Sequence, residues 1–233
     1  MSRGVEARGR RRPLPWRDAK ARHFWDVPAR AAAPVGALAQ LAVMGGEPLG
    51  EPLPDAPPPS SPCTAELWRL LSVKNGFYAF ESALHVFPVG RARAGHTLEA
   101  WNADGLWRSA YGRKADGCVF FAEDVFGTQF CLRGEAVFAF DPETGFLEPV
   151  ADTLDDWAEQ VLAYYRALTG SEIAQAWQRE KGPLWAGQRL IPKVPFACGG
   201  SLTLDNLDRV DAVEGMRVRA ELSEYFAPCP QRG

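Results

Sequence analysis

From Gly117 to Asp152 the chain reads GCVFFAEDVFGTQFCLRGEAVFAFDPETGFLEPVAD, and few architectures can hold that string. GCVFFAE and TQFCLRG face each other across DVFG, and EAVFAFD and FLEPVAD flank PETG. Links this short cannot carry a crossover helix, so each pair of runs must close as a hairpin. Asp141, Pro142 and Gly145 are turn residues with a mechanism: a side-chain acceptor, a preset φ and freedom at positive φ. The economical reading is an antiparallel meander of two hairpins.

Helical periodicity brackets the meander. TAELWRLLSVKNG carries a capping Thr64, an apolar face at Leu67, Leu70 and Leu71, and a stop at Asn75-Gly76. TLDDWAEQVLAYYRALTG, the clearest helix, pairs Thr153 with Asp156 as a capping box and repeats Leu154, Trp157, Ala158, Val161, Tyr165 and Leu168 at helical spacing before Gly170. A second helix is expected from Ser171 to Lys181, stopped by Gly182-Pro183. Residues 77–88 fit either a helix or a strand. The stretch RLIPKVPFACGGSLTLDNL reads as a short strand and loops, and 211–226 as a short helix or strand. An α+β fold follows, an antiparallel sheet with helices packed on one side.

The chain has 233 residues, 46% of them hydrophobic, which is ample for a packed core. Its net charge of −3 conceals a basic head, rich in arginine up to Arg30, and an acidic body. Seven prolines crowd 46–62, so we expect an unpacked linker there. The expected organisation is a disordered head over 1–45, a linker over 46–63, one domain over 64–226 with an extension from about 170, and a tail over 227–233. Met44 is a candidate alternative start. The five cysteines lack CxxC spacing, which argues against a zinc ribbon or a disulfide framework and for reduced thiols in a cytoplasmic protein. The apolar stretch 31–46 is too short and broken to span a membrane. It also stands too far from Arg10–Arg12 to be the hydrophobic region of a signal peptide.

Chemistry is sparse. There is no G-x-S-x-G elbow and no phosphate-binding glycine loop. Glu81, His85 and His96 would make a loose metal set if 77–88 were helical. Glu123 and Asp124 form a carboxylate pair at a hairpin corner, where turn chemistry is the cheaper explanation. Asp155 and Asp156 sit where a helix dipole favours negative charge. Trp101, Trp107 and Tyr111 cluster as core or as an interaction surface. The acidic body repels phosphate, so nucleic acid is not expected as its partner.

Asn75-Gly76, Trp101-Asn102, FAEDVFGTQF, VFAFDPETGF and the Trp157 helix, in that order, resemble the SUKH superfamily, the SMI/KNR-type group that includes a yeast cell-wall-synthesis regulator. The resemblance covers roughly 64–169. It departs where the group has N-G-G and this chain has Asn75-Gly76-Phe77, and where an L-P-x-x-Y approach is replaced by the proline-rich segment. The resemblance implies an α+β domain, no reaction and no cofactor, and a protein partner: in the bacterial branch, a toxin that the domain blocks as an immunity protein. Glu81, Trp101, Trp107, Glu123 and Asp124 are the candidate partner-binding residues. The alternatives are a regulatory adaptor resembling the yeast member, with the basic head or proline-rich linker supplying the contact, and a metal-binding protein or enzyme using Glu81, His85 and His96.

Overall fold

The computed structural model describes residues 36–53 and 61–226. The expected basic head and the tail at 227–233 fall almost wholly outside them. Within the described residues a six-stranded antiparallel meander runs in sequence order: β1 Phe77–Ala79, β2 Leu84–Val86, β3 Cys118–Asp124, β4 Gln129–Arg133, β5 Ala136–Phe140 and β6 Leu147–Ala151. The two expected hairpins are β3–β4 and β5–β6. The ambiguous stretch 77–88 resolves into a third, β1–β2. That result separates Glu81 from His85: they do not share a helical face, because Glu81 lies in the turn and His85 in β2.

On one face of the sheet lie α1 (Ala37–Met44), α2 (Pro62–Val73) and α4 (Leu154–Thr169). Leu38, Leu41, Leu67, Leu70, Leu71, Trp157 and Val161 meet Leu84, Val86, Phe121, Phe130, Leu132 and Val137 there. The other face is covered as well, by α3 (Leu98–Trp101), a 3-10 helix over Arg108–Ala115 and the C-terminal helix α6 (Ala212–Tyr225). Trp101, Trp107, Tyr111 and Met216 pack on Phe87, Phe120, Cys131 and Phe140. Between α4 and α6 the chain forms α5 (Ser171–Lys181) and a separate hairpin of β7 (Gln188–Pro192) and β8 (Leu207–Asp211). These cover a third cluster around Val125, Phe126, Trp177, Leu184 and Leu190. No helix of the described residues is long and apolar enough to cross a membrane.

Residues 36–53 differ from the expected head and linker. Leu41 and Ala42 are wholly buried in the main core, and the Asp155 carboxylate accepts the Leu38 N–H at 3.1 Å, capping α1 from another helix. Glu66 accepts the Leu154 N–H at 2.8 Å in the same way. After α1 the chain runs as a strap along the sheet margin. The Gly46, Leu49 and Gly50 N–H groups donate to the carbonyls of Tyr78, Gly76 and Asn75. The prolines here do not unfold the segment, because Pro48 and Pro52 leave the intervening N–H groups free to pair. The proline-dense 54–60 lies outside the described residues.

Candidate functional site

The β3–β4 corner concentrates the polar groups of the interior. Two residues of β3 oppose one step of β4 between Phe120 and Ala122, a bulge at Phe121. A bulge changes which face the following side chains take. Beyond it Glu123 pairs directly with His85 on β2 and with Gln129 on β4, so the three side chains form a row across three strands.

That row is sealed. Glu123, His85 and Arg189 are each 1% exposed, and Gln129 is fully buried. Glu123 Oε1 lies 2.7 Å from Arg189 Nη2 and 3.1 Å from His85 Nδ1, and Oε2 accepts from Gln129 Nε2 at 3.1 Å. Gln129 in turn accepts from Trp101 Nε1 at 2.8 Å. Tyr78 stacks on His85 with ring centroids 4.3 Å apart, and the Arg189 guanidinium lies over the same tyrosine ring. The Tyr78 hydroxyl accepts the Gly187 N–H, which ties the start of β7 to β1.

Burial alone would raise the Glu123 pKa. The Arg189 charge and the hydrogen bonds from His85 and Gln129 outweigh it and hold the carboxyl down at about 2. For His85 burial wins, lowering its pKa to about 4, so the ring is neutral at neutral pH. Its Nδ1 must then donate to the acceptor-only carboxylate, which leaves Nε2 as a buried acceptor without a partner. The contact is thus a hydrogen bond from a neutral imidazole to an ionised carboxylate, and Arg189 alone balances the Glu123 charge. Groups so enclosed cannot meet a substrate or a partner in the folded chain. What they can do is lock β7 to the meander, because a buried carboxylate left without its cation is strongly destabilising.

The rest of the corner faces inward too. Asp124 Oδ1 accepts from the Phe126 and Thr128 N–H groups, the turn chemistry expected of it. Gly127 has φ of 77°, which favours glycine, and a Cβ there would stand 2.7 Å from Arg219 Nη2 and push that guanidinium aside. Arg219 on α6 donates to the Phe126 carbonyl, and the Leu190 N–H on β7 donates to that of Val125. The EDVFG corner is therefore the socket into which the chain after residue 170 is seated.

Of the five candidate partner-binding residues, four are off the surface. Glu123 and Asp124 belong to the corner, while Trp101 and Trp107 are wholly buried in the second core, their rings 5.6 Å apart. Aromatic density here made core. Glu81 alone is exposed. It sits in the turn Phe80–Glu81–Ser82, where three successive non-glycine residues have φ of 54°, 59° and 63°. Phe80 stacks on Tyr165, and Gln178 Nε2 donates to the Glu81 carbonyl, which holds the turn in this form. Among the described residues no group of three or more His, Cys, Asp and Glu side chains is placed to hold a metal ion. The His96 ring lies 5.6 Å from that of Trp101.

Sequence reasoning missed Arg189, Gln129 and Trp185. The first two are polar residues at the leading ends of apolar runs, in QRLIP and QFCLR, a pattern that does not name a buried partner. Cys118 and Cys131 are buried free thiols on the neighbouring strands β3 and β4.

No family model matches the chain, and no curated protein does. Among solved structures, the crystal structure of Atu4351 from Agrobacterium tumefaciens is similar at 13% identity and a TM-score of 0.43, over 72% of this chain and 84% of that one.

Proposed function

We propose that this chain is a non-enzymatic protein-binding domain of the SUKH type, an immunity protein that neutralises a cognate toxin by direct contact in the cytoplasm. The order of its motifs supports the family reading, and its acidic body suits a basic toxin, since charge complementarity speeds association. The observation that carries the binding role is the Phe80–Glu81–Ser82 turn. A left-handed backbone costs a non-glycine residue about 1–2 kcal/mol, and strain of this kind concentrates at functional sites. Here it holds an acidic side chain out into solvent.

Co-expression with the product of an adjacent toxin-like gene tests this. The full chain should protect cells and co-purify with the toxin. Absence of both protection and affinity, for every neighbouring gene product tried, would remove the reading.

A further inference from the structure

Trp185 is the one tryptophan among the described residues that is exposed, at 63%, and its ring has no ring or cation partner there. Its backbone is nevertheless fixed. The Leu184 N–H donates to Gln178 Oε1 at 3.1 Å, the Trp185 N–H to Gln188 Oε1 at 3.1 Å, and the Gly187 N–H to the Tyr78 hydroxyl at 3.1 Å. Arg209 Nη1 donates to the Pro183 carbonyl at 2.7 Å while its guanidinium covers Trp177, so that cation is engaged elsewhere. The Gln178 amide that accepts from Leu184 also donates to the Glu81 carbonyl at 2.8 Å. A single side chain thus cross-links the loop carrying Trp185 to the strained turn carrying Glu81. No ion pair of the described residues involves the Glu81 carboxylate.

We propose that Glu81 and Trp185 form one recognition patch for an arginine side chain on the surface of a protein partner, a proposal that rests on the protein-binding reading above and names the chemistry of its contact. A guanidinium is the group that satisfies both: it stacks flat on an indole and forks to a carboxylate. A lysine ammonium could take one contact well and the other poorly. The rigid loop and turn lower the ordering cost of binding, as preorganised anchors do.

The test titrates N-acetyl-arginine amide, its lysine counterpart and its neutral citrulline isostere into the isotope-labelled full chain, following the Trp185 indole N–H and the Glu81 and Ser82 amides by NMR. Arginine should shift these three signals most, lysine less and citrulline least. Glu81→Gln should weaken arginine binding about threefold, the scale of an exposed ion pair. Trp185→Leu should weaken it by a similar factor, the scale of an exposed cation–π contact. Equal shifts from citrulline, or unchanged arginine binding by both variants, overturns the patch. If a captured toxin binds both variants as tightly as wild type, the patch falls and the binding reading survives. If arginine amide titrates the patch while no toxin binds, the recognition chemistry survives and the immunity reading falls.

Discussion

Glu123 at the end of β3 and Arg189 on β7 meet at 2.7 Å with neither side chain more than 1% exposed. Their contact joins the meander to the segment that follows residue 170. It changes what the carboxylate at that corner is for: it faces Arg189 on the inside, and of the five candidate binding residues only Glu81 stands in solvent.

Acid should weaken the fold in two steps. The folded His85 pKa lies at about 4, below its ordinary 6.5, so between those values the unfolded chain binds more protons and stability falls as pH drops. The loss is on the order of 3 kcal/mol by pH 4. Glu123, held at about 2 against an ordinary 4.5, contributes stability that is complete above pH 4.5 and is lost as pH falls toward 2. Melting temperature should be flat above about pH 6.5 as far as these groups decide it. His85→Gln should flatten the upper step, measured by thermal melts across the range.

The packed N-terminal part reaches at least to α1. A chain beginning at Met44 loses the buried Leu38, Leu41 and Ala42 and should melt well below one beginning at residue 36. Leu41→Ala alone should cost about 2–5 kcal/mol in urea denaturation. For the same reason, a deletion meant to test the head as an adaptor must stop before residue 36.

Relieving the strained turn should stabilise the protein. Glycine accepts the left-handed backbone that Ser82 now holds at φ 63°, though it also loosens the unfolded chain. Ser82→Gly should therefore gain a net of about 0.5–1 kcal/mol. Glu81→Gly should gain similarly, and if the proposed function holds it should bind the protein partner less well; calorimetry together with an affinity measurement would show the two effects moving apart.

Thiol chemistry should follow burial. Cys198 is exposed, while Cys63, Cys118 and Cys131 are buried. In a Cys229→Ser background, which removes the one cysteine outside the described residues, an aromatic disulfide reagent should label one thiol rapidly. The other three should wait for unfolding.

The sheet and its principal helices were legible because short turns and helical periodicity act locally. The two hairpins, the Thr153 cap and the Gly170 stop all depend on neighbours within a few residues. What escaped the sequence depends on distant partners. Asp155 caps α1 across a long separation, so neither the cap nor the helix announces the other. The Phe121 bulge helps decide that Glu123 sits beside His85 and Gln129, and nothing in VFFAED marks where a strand will bulge. Nothing local in GPLWAG ties Trp185 to the Glu81 turn, and only the cross-link through Gln178 joins the two segments.

The inward role of the corner can be measured by a double-mutant cycle between Glu123→Met and Arg189→Met in urea. Each single change strands a buried charged partner and should cost about 3–5 kcal/mol, while the double variant removes both and should cost far less than the sum. Single effects that add to within about 0.5 kcal/mol would show that the two side chains do not hold each other, and would contradict the lock.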